Sequence, residues 1–431
     1  MKKNTRGKLN MWLTVLITAF VTVLLTIFLL NLRTSEKHIR YALTHEFIVA
    51  DPQFLRSMGH LLGPGVLPGN RVTALQNGAQ IFPAMLDAIG GAEKSITFET
   101  YIYWSGEIGK KFSDALCERS LAGVKVHVML DWVGCGKIDA KFLDSMKAAG
   151  IELERYHPVH WHTLTRINNR THRKLLVVDG RIGFTGGVGI ADHWEGHAES
   201  KDHWRDSHFQ IEGPAVAQMQ AAFTDNWVKT RAKVLLGPDY FPELKPEGDS
   251  LAQVFKSSRG EGSESVRLMY LLSIASAAKS IRLQAAYFVP DDLAIQTLIS
   301  ARRRGVKIEI IVPGPHMDEQ IVQHASRSLW NELLDAGIEI YEFQPTMYHC
   351  KVLIVDDVWV SVGSTNFDDR SFRLNDEANL NIYDAAFAAE QAQVFEQDKN
   401  HSRLMTRSEF KNRSAFGKMF EELAGMLRRQ L

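Results

Sequence analysis

His172-Arg173-Lys174-Leu175-Leu176-Val177-Val178-Asp179 and His349-Cys350-Lys351-Val352-Leu353-Ile354-Val355-Asp356 decide how this chain folds. Both read His-x-Lys-x-x-x-x-Asp. Both lead, at the same distance, into a glycine-rich turn: Gly186-Gly187-Val188-Gly189 and Gly363-Ser364-Thr365-Asn366. One such octapeptide is weak, because short motifs match by chance. Two in register, each on an apolar run, predict one two-fold site built from both halves of the chain.

Outward from the motifs the repeat continues. Lys94-Ser95-Ile96 matches Lys279-Ser280-Ile281, Gly123-Val124-Lys125 matches Gly305-Val306-Lys307, and Gly150-Ile151-Glu152 matches Gly337-Ile338-Glu339. With the two histidines, matched points lie 185, 182, 187 and 177 residues apart, a drift of loop size. Each half reads strand–helix–strand–helix–strand–strand, an α/β unit with a mostly buried sheet. Past the turns, Trp204–Phe209 aligns with Asn375–Leu380, so Asp206 and Glu377 recur as matched acids. The divisions expected are a tail (1–10), an apolar span (11–32), a Pro/Gly-punctuated connector (33–70), a first lobe (71–230), an inter-lobe linker (231–265) and a second lobe (266–431).

Fifty basic and fifty acidic residues among 431 leave no net charge. That balance argues against a nucleic-acid partner, which would require a basic excess. Cys117, Cys135 and Cys350 have neither disulfide nor metal-ligand spacing, so no metal or other cofactor is expected. Residues 11–32 carry no charge and reach the roughly 20 residues that cross a bilayer. They are too long for a signal-peptide core and no small-residue cleavage site follows, so an uncleaved single-pass anchor is expected. Lys2, Lys3, Arg6 and Lys8 before it slightly outweigh Arg33, Lys37 and Arg40 after it, which leans the body outward. Thr14, Thr18, Thr22 and Thr26 recur at the spacing that supports helix pairing, leaving a homo-oligomer open.

Positions i and i+2 of a strand share a face. His172 and Lys174 therefore project together, as do His349 and Lys351, while Asp179 and Asp356 have the opposite parity and sit at the strand's end. The two aspartates read as structural, holding the strand end or a neighbouring basic group. An imidazole beside an ammonium suits phosphodiester chemistry: the lysine offsets charge on the phosphate oxygens, one histidine attacks phosphorus, and the other moves the proton. Gly-Ser-Thr-Asn adds donors in a turn that can approach a phosphate closely.

These residues resemble the phospholipase D superfamily, specifically its bacterial cardiolipin synthase branch. The likeness covers about residues 70–400. It rests on both His-x-Lys-x4-Asp motifs, on GSTNFDDRSFRLNDEANL (363–380) and on FETYIYWSGEIG (98–109), with HWRDSHFQIEGPAV (203–216) in support. The resemblance implies two α/β/α lobes about a pseudo-two-fold axis and one metal-free site between them. It implies a phosphatidyl-histidine on His172, with His349 as general acid/base and Lys174 and Lys351 as phosphate clamps aided by Ser364 and Asn366. Asp206 and Glu377 are implied to orient the histidines. The implied substrates are phospholipids, phosphatidylglycerol first and phosphatidylethanolamine second, at a bacterial inner membrane. Two positions depart from the family: Gly187 replaces a serine, and Gly189 stands where asparagine is common. Two other readings stay open, a phospholipase D-type hydrolase and a catalytically weakened lipid-binding scaffold.

His157, His160, His162, His193, His197, His203 and His208 crowd one stretch without metal-ligand spacing, and read as headgroup-pocket lining or surface. Asn168-Asn169-Arg170 reads equally as a phosphate contact or as loop chemistry. Cys350, on the face opposite His349, reads as a buried small side chain rather than a nucleophile. Trp104, Trp132 and Trp161 are candidates to border the cleft.

Overall fold

The computed structural model describes residues 2–31, 39–158, 168–258 and 264–428. The first half contributes seven strands: β1 (Leu67–Gln76), β2 (Ser95–Thr100), β3 (Lys125–Asp131), β4 (Glu152–Tyr156), β5 (Leu175–Val178), β6 (Ile182–Gly186) and β7 (Ser207–Glu212). The second half contributes β8 (Ser250–Ser257), β9 (Ser280–Ala285), β10 (Phe288–Val289), β11 (Lys307–Pro313), β12 (Glu339–Phe343), β13 (Lys351–Val355), β14 (Trp359–Gly363), β15 (Phe367–Asp368), β16 (Glu377–Tyr383) and β17 (Ser402–Leu404).

The pseudo-two-fold is visible in the sheet order. The first half runs β1-β7-β6-β5-β2-β3-β4, and the second repeats it as β8-β16-β14-β13-β9-β11-β12 with β17 added at the edge. β1 pairs with β8, so the two halves join into a single sheet. β2-β3-β4 and β9-β11-β12 are parallel, and their crossovers are the helices the sequence pattern calls for. β5 and β13, which carry the motifs, are buried on both faces because helices cover both sides of the sheet. Phe82, Phe112 and Trp194 fill the outer layer of the first lobe. The helices Val216–Arg231 and Ala385–Asn400 contribute Phe223, Trp227 and Phe395 to a core shared by both lobes.

Two expected divisions are corrected. The linker 231–265 contains β8, which pairs with β16 from Leu251 to Ser257 and is therefore the first strand of the second lobe. Its Gly/Pro/Ser flanks conceal a strand whose Val254 and Phe255 are buried. The described part of the connector, residues 39–70, likewise carries regular structure. It holds the helix Pro52–Leu62, capped by Asp51, and the start of β1. Val49, Phe54 and Met58 pack into the second lobe, with Phe54 edge-on to Trp359 at 4.9 Å. The connector belongs to the far lobe although it precedes the near one.

A single helix, Lys2–Asn31, precedes this body; its segment Asn10–Leu29 is long and apolar enough to cross a bilayer. The hydroxyls of Thr14 and Thr26 donate to carbonyls one turn back within the same helix. Arg33, Lys37, His160, Trp161 and His162 lie outside the described residues.

Candidate active site

His172 and His349 each stand immediately before a motif strand, in segments that cross from one lobe to the other. The amide of His172 donates to Asp376 O (2.8 Å), and that of Asp376 to Arg170 O (2.8 Å). By the same plan His349 N donates to Arg205 O (2.8 Å) and Arg205 N to Met347 O (2.9 Å). Each histidine is thus clamped by the segment that carries the acid of the opposite half.

The side chains follow. His172 Nδ1 lies 3.0 Å from both carboxylate oxygens of Glu377, and His349 Nδ1 lies 2.7 Å from Asp206 Oδ2. With Nδ1–H donated to a carboxylate, Nε2 of each ring keeps its lone pair. Ser364 Oγ donates to Glu377 Oε2 (2.5 Å) and accepts from Ala378 N (3.0 Å). Asp206 receives Trp194 Nε1 (2.9 Å) and its neighbour's amide, Ser207 N (2.8 Å). Lys174 Nζ bonds His172 O at 3.0 Å and Lys351 Nζ bonds His349 O at 2.7 Å, so each ammonium sits beside its own imidazole.

All four groups are buried, and burial sets their protonation. Burial lowers His172 to about 4, with Glu377 opposing and Lys174 reinforcing. Burial and Lys351 lower His349 to about 3 against the pull of Asp206. Both rings are therefore neutral at pH 7. Burial and then the Lys351 charge bring Lys174 down to about 7, and burial also lowers Lys351. Burial pushes the Asp206 and Glu377 carboxyls up, but the histidine rings and lysines beside them hold both below the ordinary range.

His172, Lys174 and His349 open into one cleft of about 650 Å³ between the lobes. Asn366 lines it, and its buried Oδ1 meets no partner among the described residues. Ser364, expected to aid the phosphate clamps, stands behind the histidines instead, as does Gly187. Ser364 is occupied by Glu377, and a Cβ on Gly187 would lie 2.2 Å from Asp206 Oδ1. Gly189 is equally constrained, since a Cβ there would meet Ile102 at 2.8 Å and Trp194 at 3.2 Å. Apolar groups thus crowd any side chain at position 189.

Asp179 and Asp356 lie at the far ends of β5 and β13, about 16 Å of strand from the lysines. Asp179 accepts from the amides of Glu93, Lys94 and Ser95 (2.7–2.9 Å), and Asp356 from Ala278, Lys279 and Ser280 (2.7–2.9 Å). They bind backbone N–H groups rather than basic side chains, tying each strand to the turn before β2 or β9. Both take a positive φ (52° and 55°), which a short polar side chain tolerates.

Cys350 is buried beside Ser207, and burial pushes its thiol up to about 12, which excludes a thiolate. Trp104 lines the cleft; Trp132 lies under the Arg170 guanidinium, which also lines it. Among the crowded histidines, His193 lines the cleft, stacked on Trp204. His208 is buried, His203 pairs with Glu199, and His157 stacks on Tyr156. Tyr101 and Tyr287, near His172 and His349 respectively, escaped the sequence reading. Tyr101 follows β2 directly and Tyr287 stands one place further beyond β9, so the repeat sets Tyr101 against Ala286 and Tyr287 against Ile102 and gave no signal for either. Trp204, 5.5 Å from His349, is matched by Asn375 and likewise has no aromatic twin.

Paired His–Lys units on a duplicated α/β/α fold, with the site on the pseudo-two-fold, define a phospholipase D-superfamily enzyme. The family pattern described as cardiolipin synthase, PLD-like domain, matches residues 85–227 and 270–399. The chain is 34% identical over 379 residues to a cardiolipin synthase of Alkalihalophilus pseudofirmus, covering 87% of this chain and 75% of that one. It is 34% identical over 361 residues to that of Geobacillus thermodenitrificans, covering 83% and 72%. Its fold is similar to the phosphatidylserine synthase of Haemophilus influenzae, with a TM-score of 0.65 at 13% identity, over 88% of this chain and 99% of that one. The chain belongs to the PLD-like cardiolipin synthase family, and is a phosphatidyltransferase of that superfamily.

Proposed function

We propose that the chain condenses two phosphatidylglycerol molecules into cardiolipin and glycerol, through a phosphatidyl group held on His172. The observation that carries the reading is the pair of imidazoles, each oriented by a carboxylate of the other lobe, opening into one cleft with a lysine beside each. Nε2 of neutral His172 attacks phosphorus. The bond to the headgroup oxygen breaks, and that oxygen takes a proton from His349, releasing glycerol. The anionic substrate raises the otherwise low His349, so that it carries that proton on entry. The hydroxyl of a second phosphatidylglycerol then gives its proton back to His349 and attacks phosphorus. The P–N bond breaks, and His172 is neutral again. Lys174, Lys351 and the Asn366 amide offset the charge on the phosphate oxygens.

Rapid quenching with phosphatidylglycerol labelled at phosphorus tests this. The label is expected on His172, acid-labile, and absent from His172→Ala. Label on His349 would exchange the two roles. Phosphatidic acid in place of cardiolipin, with phosphatidylglycerol alone or with phosphatidylethanolamine added, would replace transfer by hydrolysis.

A further inference from the structure

The last described helix, Ala415–Gly425, is turned inside out. Its inward face, against the helix Gln320–Ser328, carries small or charged groups. Ala424 is buried, Glu421 is buried in a pair with Arg413 (2.6 Å), and a Cβ on Gly425 would meet Ser328 Oγ at 2.7 Å. Its outward side carries Phe416, Met419, Phe420 and Leu423, with Met426 and Leu427 just beyond, all 47–78% exposed. The first four follow the i, i+3, i+4, i+7 spacing of a single face. A helix of a water-surrounded protein places such a face inward.

Two observations name what covers it. First, the face is continuous with the catalytic cleft. The Phe420 ring packs on His324 at 5.0 Å, and the helix carrying His324 also carries Ile321 and Val322, which line the cleft. Second, the membrane anchor enters the body beside this helix. Ile39 lies eight residues beyond Asn31, the end of the membrane-crossing helix, a reach of at most about 28 Å. Ile39 O is fixed by Arg267 Nη1 at 2.9 Å, and Ile39 and Arg40 line a small cavity together with Arg428, at the foot of the C-terminal helix.

We propose that the helix Ala415–Gly425 is a second membrane contact. It lies in the interfacial plane of the bilayer with its apolar face among the acyl chains, and holds the mouth of the cleft against the lipid surface. The anchor confines the body near the membrane; this helix fixes which face turns to it. The inference rests on lipid being the substrate, and is independent of which histidine attacks.

The test uses the full chain in phosphatidylglycerol-containing vesicles, in a Cys117→Ser background. A fluorophore on Phe420→Cys is compared with one on Leu121→Cys, an exposed apolar residue of the first lobe (74%). At position 420, quenching by lipids brominated along the chain should exceed that at 121 several-fold, and aqueous iodide should quench less. Equal quenching at both sites overturns the proposal. So does protection at 420 that persists in detergent and depends on protein concentration, which would place a second copy there. In parallel, a variant with Phe416, Met419, Phe420 and Leu423 all changed to Ser should need at least fivefold more vesicle lipid for half-maximal turnover. On monomeric short-chain phosphatidylglycerol its kcat should stay within twofold. An unchanged vesicle dependence overturns the proposal even if the reaction proves hydrolytic, because half-maximal lipid can be read from turnover of either kind and the fluorescence reads no chemistry.

Discussion

His172 and Glu377 are 205 residues apart in the chain, yet the ring Nδ1 lies 3.0 Å from either carboxylate oxygen. His349 and Asp206 make the converse pair at 2.7 Å. Each lobe brings an imidazole and an ammonium and borrows the acid, so neither lobe contains a complete histidine–carboxylate pair.

The crossing predicts which residues are energetically coupled. Asp206→Asn and Glu377→Gln should each lower kcat by roughly 10²–10⁴-fold, the range of a disabled acid–base group. In double-mutant cycles Asp206 should couple to His349, and Glu377 to His172, by about 1–3 kcal/mol. Pairs within one lobe, such as Asp206 with His172, should be nearly additive. Coupling within lobes and additivity across them would contradict the structure.

Gly187 predicts an indirect loss. Gly187→Ala places a methyl where Asp206 Oδ1 now sits. The carboxylate must shift from His349, and kcat should fall as in Asp206→Asn with the fold retained by circular dichroism. Gly189→Asn, which would bring back the residue common in the family, should not improve activity. It crowds Ile102 and Trp194 and should destabilise by about 1–3 kcal/mol, read as a lower denaturation midpoint.

Asp179 predicts a stability effect without a catalytic one. Asp179→Ala leaves three amides without their acceptor and places alanine at a positive φ. The expected cost is about 1–3 kcal/mol in chemical denaturation, with kcat per folded molecule nearly unchanged. A loss of kcat comparable to that of His172→Ala would return the aspartate to the chemistry.

The low value of Lys174 predicts the alkaline limb of activity. As an ammonium Lys174 can clamp a phosphate, and in the free enzyme that form is lost as pH rises through about 7. His172 becomes protonated only below about 4, so it imposes no acid loss above that. Because His349 must also carry a proton, kcat/KM already declines with rising pH, and loss of the Lys174 proton should steepen that decline by a further tenfold per unit above about pH 7. The bound anion raises Lys174, so kcat at saturation should decline at a higher pH than kcat/KM does.

Much of this was legible from the repeat. Lys-Ser-Ile before β2 and β9, Gly-Val-Lys at β3 and β11, and the motifs at β5 and β13 mark strands because both copies repeat the same hydrophobic period. β1 and β8 were missed because Pro68-Gly69 interrupts one and Gly/Pro-rich flanks surround the other. Their identity as strands comes from partners distant in the chain. The crossed acids were hidden for a related reason. Counting places Asp206 after His172 and Glu377 after His349, whereas the pairing is made by segments that trade lobes, which no local spacing encodes. The outward apolar face of the C-terminal helix could have been read from Phe416, Met419, Phe420 and Leu423, but only the packed body shows that it is left uncovered.

The crossed pairing also bears on how the chain is made. Synthesis delivers His172 and Lys174 together with the whole first lobe before Glu377 exists. A nascent or truncated chain ending before residue 377 therefore holds its first histidine without the carboxylate that orients it. Both imidazoles are aligned only when the two lobes are complete and docked, so an unfinished chain carries the motif residues without their arrangement.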